Sequence, residues 1–195
     1  ADFGELQVRL LSLRAEIIRF ETEITDKEII DFPEDMLNKH SAIVRQTIER
    51  FTASRNAFDS RRSTQRETIS QRQQEINEIY SSIDNQTKTL KLLDEQVAIS
   101  TELLSKGISN RYNHLDLLKE QSELRGKLAG DKLAVKRAIS ALEEANLQLE
   151  SITTFYRDDI AKELSAARTS FDELSQRQYK FEDNLARTVL RAPVN

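Results

Sequence analysis

The sequence predicts an all-α protein, a long antiparallel coiled-coil helical hairpin with an additional N-terminal helix. Apolar residues recur at spacings of three and four along most of the 195 residues, as they do in coiled coils. No proline interrupts residues 34–192. Gly107 is the only glycine between Gly4 and Gly126, and a reversal of the chain at Gly107 would bring two long apolar seams together.

Composition and charge favour exposed helices over a globular enzyme or a nucleic-acid-binding protein. Hydrophobic residues make up 38% of the chain and charged residues 32%, a balance typical of long solvated helices. The net charge is −4 with both signs mixed, whereas a nucleic-acid partner needs a concentrated basic face. The absence of cysteine leaves the redox compartment open. No apolar run reaches the roughly 18 residues of a membrane span, so we expect any anchor to lie outside this sequence.

The first predicted element is a helix over residues 1–30, followed by a break at residues 31–35. Its seam has alternating spacings of three and four: Phe3, Leu6, Leu10, Leu13, Ile17, Phe20 and Ile24. Pro33 disfavours helical geometry at Phe32 and is acceptable at a first helical position. The next helix is therefore predicted to start near Pro33 or Glu34.

The second predicted element is a long outgoing helix over residues 35–106. One row of apolar residues recurs at intervals of seven: Ile69, Ile76, Ile83, Leu90, Val97 and Leu104. The complementary row contains apolar and polar residues: Leu37, Val44, Phe51, Phe58, Gln65, Arg72, Ile79, Gln86, Leu93 and Ser100. Because Arg55, Arg62, Gln65 and Arg72 occupy seam positions, looser packing or a partner contact is predicted there.

The third predicted element is a return helix over residues 110–190. Ile152, Tyr156, Ile160 and Leu164 are spaced by four, so the heptad locally gives way to a longer repeat that relaxes the supercoil. Pro193 should end the helix. The two long helices would span roughly 110 and 120 Å and the first helix roughly 40 Å. Either three helices lie side by side near one end, or a bend near the Arg-rich stretch absorbs the difference.

The turn is predicted at residues 107–109. Gly107 can adopt the left-handed conformation that ends many helices, and Ile108 would then pack on Leu103 as in a Schellman motif. Ser109 would cap the next helix. A turn supported by a rigid helical scaffold is a favoured position for partner binding. The alternative is a turn that only reverses the chain.

Catalytic, metal and cofactor sites are not predicted. His40 and His114 lack partners at ligand spacing, and the acidic pairs Glu143/Glu144 and Asp158/Asp159 point to different sides of a helix. Gly126 and Gly130 lie in a helical pattern and form no phosphate loop. We therefore expect no enzyme activity, no cofactor and no small-molecule substrate.

The turn region LLSKGISNRYNHLDLLKEQSELRG contains Leu-Leu-x-Lys-Gly, a nearby Arg and a later Gly. In this pattern it resembles the hairpin turn of the haemolysin-D type of periplasmic membrane fusion proteins, the adaptors of type I secretion systems. LQVRLLSLRAEIIRFETEI and DFPEDML also look like the family, and LARTVLRAPVN resembles the entry into its lipoyl-like domain at residues 191–195. The tip pattern of drug-efflux adaptors fits poorly, since Ala98 and Glu102 stand in place of its Arg and Leu.

The resemblance implies an adaptor anchored in the inner membrane beside an ABC transporter, with the hairpin crossing the periplasm to an outer-membrane TolC-like duct. It also implies a hexamer. The mixed charge argues against a nucleic-acid partner. The predicted partner-binding residues are those of the tip: Leu103, Leu104, Lys106, Gly107, Ile108, Ser109, Asn110, Arg111 and Tyr112. The alternatives are a structural coiled-coil scaffold, a homodimer whose heptads pair between chains, and a drug-efflux adaptor.

Overall fold

The computed structural model describes residues 3–189, with side chains described for residues 3–184. Four helices follow in order: α1 (Phe3–Ile24), α2 (Glu34–Lys39), α3 (Ser41–Ser105) and α4 (Arg111–Val189). No strand occurs among residues 3–189. The chain divides into an α1 unit (residues 1–62 and 151–195) and a turn unit (residues 63–150). The predicted all-α helical hairpin is confirmed, while the predicted helix end at residue 190 and the lipoyl-like start at residues 191–195 lie outside the described residues.

Helix α1 ends at Ile24, whereas the sequence predicted a helix up to residue 30. Asp26 has a φ of 55°, in the left-handed region. Its N–H donates to the carbonyl of Glu23 (3.2 Å), and the N–H of Lys27 donates to the carbonyl of Thr22 (3.1 Å). These two hydrogen bonds form a Schellman motif with aspartate at the position that glycine usually takes. Without a glycine or proline at this point, the sequence did not signal the stop.

A second interruption lies at His40, inside the stretch predicted as one helix from 35 to 106. His40 has φ −131° and ψ 39°, so α2 ends there and α3 begins one residue later. Met36 is completely buried in a cluster with three other apolar residues: Ala15, Phe32 and Val44. Leu37, which the heptad row placed in the seam, is 48% exposed. The break at His40 therefore places Met36 in the core in the position predicted for Leu37.

In the α1 unit, helices α1, α3 and α4 lie side by side. Arg50 of α3 pairs with Glu16 (2.6 Å), and Arg55 pairs with Asp26 (2.8 Å), so α1 and α3 run parallel. Helix α1 runs antiparallel to α4, with which it shares an apolar cluster: Phe20, Ile160, Leu164 and Ala167. Arg55, one of the polar seam residues, thus pairs within the chain, and the looser packing or partner contact expected at the Arg-rich part of the seam stays a prediction.

In the turn unit, α3 and α4 pair as antiparallel neighbours. Gln65 Nε2 donates to the carbonyl of Ala145 (2.8 Å), and Gln121 Nε2 donates to Asp94 Oδ1 (2.6 Å). As residue numbers increase along α3, the numbers of their partners on α4 therefore decrease. The buried apolar residues of this seam come from both helices: Ile76, Leu93, Leu128, Val135, Ala138 and Ala145.

Candidate partner-binding site

Gly107 ends helix α3 in the predicted manner. Its φ is +70°. The N–H of Gly107 donates to the carbonyl of Leu104, and the N–H of Ile108 donates to the carbonyl of Leu103, both at 3.0 Å. This is the Schellman pair of hydrogen bonds, which satisfies two carbonyls that would otherwise have no helical partner. The predicted glycine stop is confirmed.

Asn110, and not Ser109, caps the returning helix. Asn110 Oδ1 accepts a hydrogen bond from the backbone N–H of Tyr112 at 2.9 Å, two residues into α4. The carbonyl of Asn110 also accepts from the N–H of His114 at 3.3 Å. Asparagine and serine are comparable caps, so the sequence alone could not choose between these neighbours. The connection therefore spans residues 106–110, one residue longer at each end than the predicted 107–109.

The turn displays most of the nine predicted residues to solvent. Leu104 and Ser109 are half-buried. Ile108 is 72% exposed and Tyr112 is 68% exposed, so two large apolar side chains lie on either side of the helix start. The other exposed members are Leu103, Lys106, Gly107, Asn110 and Arg111. The site combines apolar side chains with basic ones, which suits contact with a protein surface.

Two further exposed apolar residues flank the turn and were not among the predicted site residues. Ile99 lies four residues before Leu103, on the same face of α3, and Leu115 lies three residues after Tyr112 on α4. Ile99 belongs to neither seam row. That mismatch between an apolar side chain and the heptad pattern was the signal available in the sequence.

Polar contacts hold the two helices together below the turn. Ser100 is buried, and its Oγ lies 3.2 Å from His114 Nδ1. Further along, Asp94 Oδ1 accepts hydrogen bonds from Gln121 Nε2 (2.6 Å) and from Arg125 Nη2 (3.1 Å). These contacts fix the register between α3 and α4 next to the turn.

A buried polar cluster lies deeper in the turn unit. Gln86 Nε2 donates to Asp131 Oδ2 (2.6 Å), and Ser82 Oγ donates to the same oxygen (3.0 Å). Gln86 occupies a seam position of the heptad row and is buried. A buried amide paired with a carboxylate on the facing helix favours one register over a slip of one heptad, because a slip would leave both groups unpaired.

Substituting Gly107 with alanine is expected to destabilise the turn unit by about 1 kcal/mol, because a Cβ is disfavoured in the left-handed region. No side chain approaches the position, so the backbone conformation alone causes the cost. Gly126→Ala is the control, with the opposite expected sign. It lies inside α4 with open space around it, and alanine there should stabilise by about 0.5–1 kcal/mol. Urea unfolding, monitored by circular dichroism, measures both changes in stability. Two changes of the same sign would contradict the left-handed conformation of Gly107 as the cause.

The α1 unit has its own buried polar network around Glu23. Glu23 Oε1 pairs with Arg19 Nη1 at 2.8 Å. Its other oxygen accepts hydrogen bonds from Tyr156 Oη (3.0 Å) and Ser54 Oγ (3.2 Å). The Tyr156 ring stacks on Phe58, with ring centroids 4.0 Å apart. The network joins α1, α3 and α4, so its role is to hold the three helices together.

Burial raises the pKa of Tyr156 above its ordinary value of 10.0, because desolvation disfavours the phenolate. The charge of Glu23 acts in the same direction, and the hydrogen bond with Ser54 opposes it. The folded chain thus keeps a proton that the unfolded chain loses. The corresponding stabilisation is complete below about pH 10 and declines as the pH rises further.

An ultraviolet absorbance titration should therefore show a late phenolate from Tyr156. Tyr156→Phe should remove that late component, while Tyr80→Phe, at an exposed position, should leave it in place. A late component that survives in Tyr156→Phe would contradict the assignment.

The described residues hold no metal-binding arrangement of three or more His, Cys, Asp or Glu side chains. Among the same residues, no helix is both long and apolar enough to cross a bilayer.

Helices α3 and α4 with the Gly107 turn define a long α-helical hairpin. The chain belongs to the family described as AprE, long alpha-helical hairpin, whose model matches residues 1–184. The family resemblance seen in the sequence is thereby confirmed. No curated protein matches the sequence.

The chain is also similar to a solved structure, the crystal structure of the soluble domain of LipC, a membrane fusion protein of a type I secretion system. The TM-score is 0.87, and the match covers 99% of this chain and 92% of that chain. The sequence identity is 16%, so this similarity shows a shared fold.

Proposed function

We propose that this chain is the helical hairpin of a membrane fusion protein that acts as a periplasmic adaptor in type I protein secretion. In this role it links an inner-membrane ABC transporter to an outer-membrane TolC-like duct, and an anchor outside this sequence holds it at the inner membrane. Family membership and the fold shared with the soluble domain of LipC support the proposal. The observation that carries it is the turn, where a rigid pair of helices ends in exposed apolar and basic side chains.

The turn residues are the proposed contact with the duct. Ile108 and Tyr112 would lose exposed apolar surface on docking, and Arg111 would supply a charge at the edge of the contact. One turn offers only a small contact area. Several copies acting together would supply the avidity that one copy lacks.

Self-association, expected as a hexamer, is part of the proposal. Away from the turn, α4 exposes three further large apolar residues in this unit: Leu133, Ile139 and Leu147. A shallow surface depression includes Ile139 and Leu147. A second copy of the hairpin could cover these residues, since exposed apolar side chains favour contact with another helix.

Site-specific photocrosslinking in the full-length protein, in its native cells, tests the docking contact. A photoreactive residue at Asn110 or Arg111 is expected to form an adduct with an outer-membrane channel protein. Lys162, exposed on α4 within the α1 unit, is the control position and should give none. Adducts of equal yield at Asn110 and Lys162, or no channel adduct from either turn position, would contradict the proposal.

Secretion itself gives a second test. Tyr112→Ala or Ile108→Asp should reduce export of the cognate polypeptide while leaving the amount of adaptor in the membrane unchanged. Both side chains are exposed, so neither substitution should cost more than about 0.5 kcal/mol of stability. Normal export with both residues changed would overturn the assignment of the tip.

A further inference from the structure

A groove between α1 and α4 in the α1 unit has no part in the proposed docking function. Its volume is about 370 Å³, which is within the usual size range of small-molecule sites, roughly 300–1,000 Å³. Four apolar side chains line it: Phe3, Leu6, Leu174 and Phe181. The rings of Phe3 and Phe181 lie 6.4 Å apart, centroid to centroid, and are tilted by 37°. Phe181 remains 47% exposed, so apolar surface is open to a ligand there.

The groove is open because only two helices flank it. Among the described contacts, α1 meets α2 and α3 from Arg14 onward, for example in the Arg14–Asp35 ion pair (3.2 Å). Nearer its N-terminus, the described partner of α1 is α4, as in the Phe3–Phe181 contact. Two packed helices leave a furrow along each side of their contact, and no third described helix fills this furrow between α1 and α4.

The rim of the groove is positively charged. Arg9, Arg177 and Lys180 line it, with Glu5 as the one carboxylate among the lining residues. None of the three cations has an ion-pair partner among the described side chains, whereas the exposed Arg168 pairs with Glu21 at 2.6 Å. Three cations against one anion favour a ligand that carries negative charge beside an apolar part.

We propose that this groove binds the hydrocarbon chain of a monomeric fatty carboxylate, whose head group pairs with the basic rim. Burial of the chain against Phe3, Leu174 and Phe181 would remove its methylene groups from water, which favours binding. Arg177 and Lys180 lie three residues apart on α4, on one side of the helix, so both are placed to meet one carboxylate. The volume suits one chain. A second copy of this protein is a poorer occupant, since it would bring the same excess of positive charge.

Binding of laurate, below its micelle concentration, to the full chain tests the proposal by calorimetry. Two comparison ligands separate its two requirements. Dodecyltrimethylammonium has a chain of the same length with the opposite charge, and butyrate has the same head group with a short chain. We expect one laurate per chain, bound at least about tenfold more tightly than either comparison ligand.

Matched variants locate the site. The double substitution Arg177→Gln/Lys180→Gln should weaken laurate binding about tenfold or more, through the loss of two charge-assisted contacts. The control, Arg137→Gln/Lys136→Gln, removes the same two residue types from an exposed part of α4 in the turn unit and should leave the affinity unchanged. Circular dichroism establishes that both variants keep their helix content.

Phe181→Trp adds a fluorescence reporter inside the groove, and laurate should change its emission.

Three results would overturn the proposal. The first is equal affinity for laurate and dodecyltrimethylammonium. The second is equal affinity of laurate for the two double variants. The third is uptake of many ligands per chain, which indicates detergent-like binding. Because the groove residues take no part in docking at the turn, each of these results would leave the proposed adaptor function unaffected.

Discussion

Glu23→Ala is expected to lower the free energy of unfolding of the α1 unit by about 3 kcal/mol, since removing one partner of a buried ion pair leaves the other charge without compensation. The Glu23 side chain is fully buried, and Arg19 is largely buried beside it. The substitution would also remove the acceptor of the hydrogen bonds from Tyr156 and Ser54. One substitution thus removes hydrogen bonds that join α1 to both α3 and α4.

Amide hydrogen exchange of α1 peptides measures this effect locally, because it reports opening of α1 without requiring two-state unfolding of the whole chain. Glu21→Ala is the control on the same helix. Glu21 pairs with Arg168 at 2.6 Å, yet both side chains are about half exposed. Such a pair contributes roughly 0–1 kcal/mol. Similar losses in the two variants would show that the Glu23 network does not hold the helices together.

Leu93→Ala is expected to destabilise the turn unit by about 3 kcal/mol through lost burial and the cavity it leaves. Leu93 is 4% exposed and lies in the seam between α3 and α4. Its neighbour Leu92 is 62% exposed, so Leu92→Ala should change stability by less than about 0.5 kcal/mol. The two variants lose the same atoms, and only the side of the helix differs.

Hydrogen exchange of peptides within residues 63–150, together with urea unfolding, gives both values. The comparison also tests the register of the heptad rows, because a shift by one position would exchange the roles of Leu92 and Leu93. A larger loss from Leu92→Ala than from Leu93→Ala would contradict the structure of the turn unit.

Much of the fold could be predicted from the sequence because it depends on local patterns. Residues of the predicted row, such as Val44, Phe51, Phe58 and Leu93, are buried as the seven-residue spacing required. Gly107 adopts the left-handed conformation that its isolation in a helical stretch indicated. Periodicity and glycine geometry act over a few residues, so they can be read from a single sequence.

The position of the candidate site could be predicted from the sequence, whereas its helix cap and part of its apolar surface could not. The position of the turn followed from Gly107, but the choice of Asn110 over Ser109 as the cap depends on where the backbone of α4 begins. Ile99 and Leu115 contribute exposed apolar surface that the sequence did not assign to the site. A partner-binding surface is defined by which side chains stay uncovered, which requires the packed helices.

By itself, the sequence determined that this protein is a helical hairpin with its reversal at Gly107 and an additional helix before it. Only the tertiary structure decided where that first helix ends and how it packs. The stop at Asp26 and the break at His40 carry no glycine or proline signal that the sequence could have shown. The tertiary structure also placed Met36 in the core and brought Glu23 to Tyr156, residues far apart in the chain. Periodicity fixes which side of a helix is apolar, whereas contacts between distant segments depend on how the packed helices bury those surfaces and pair their polar groups.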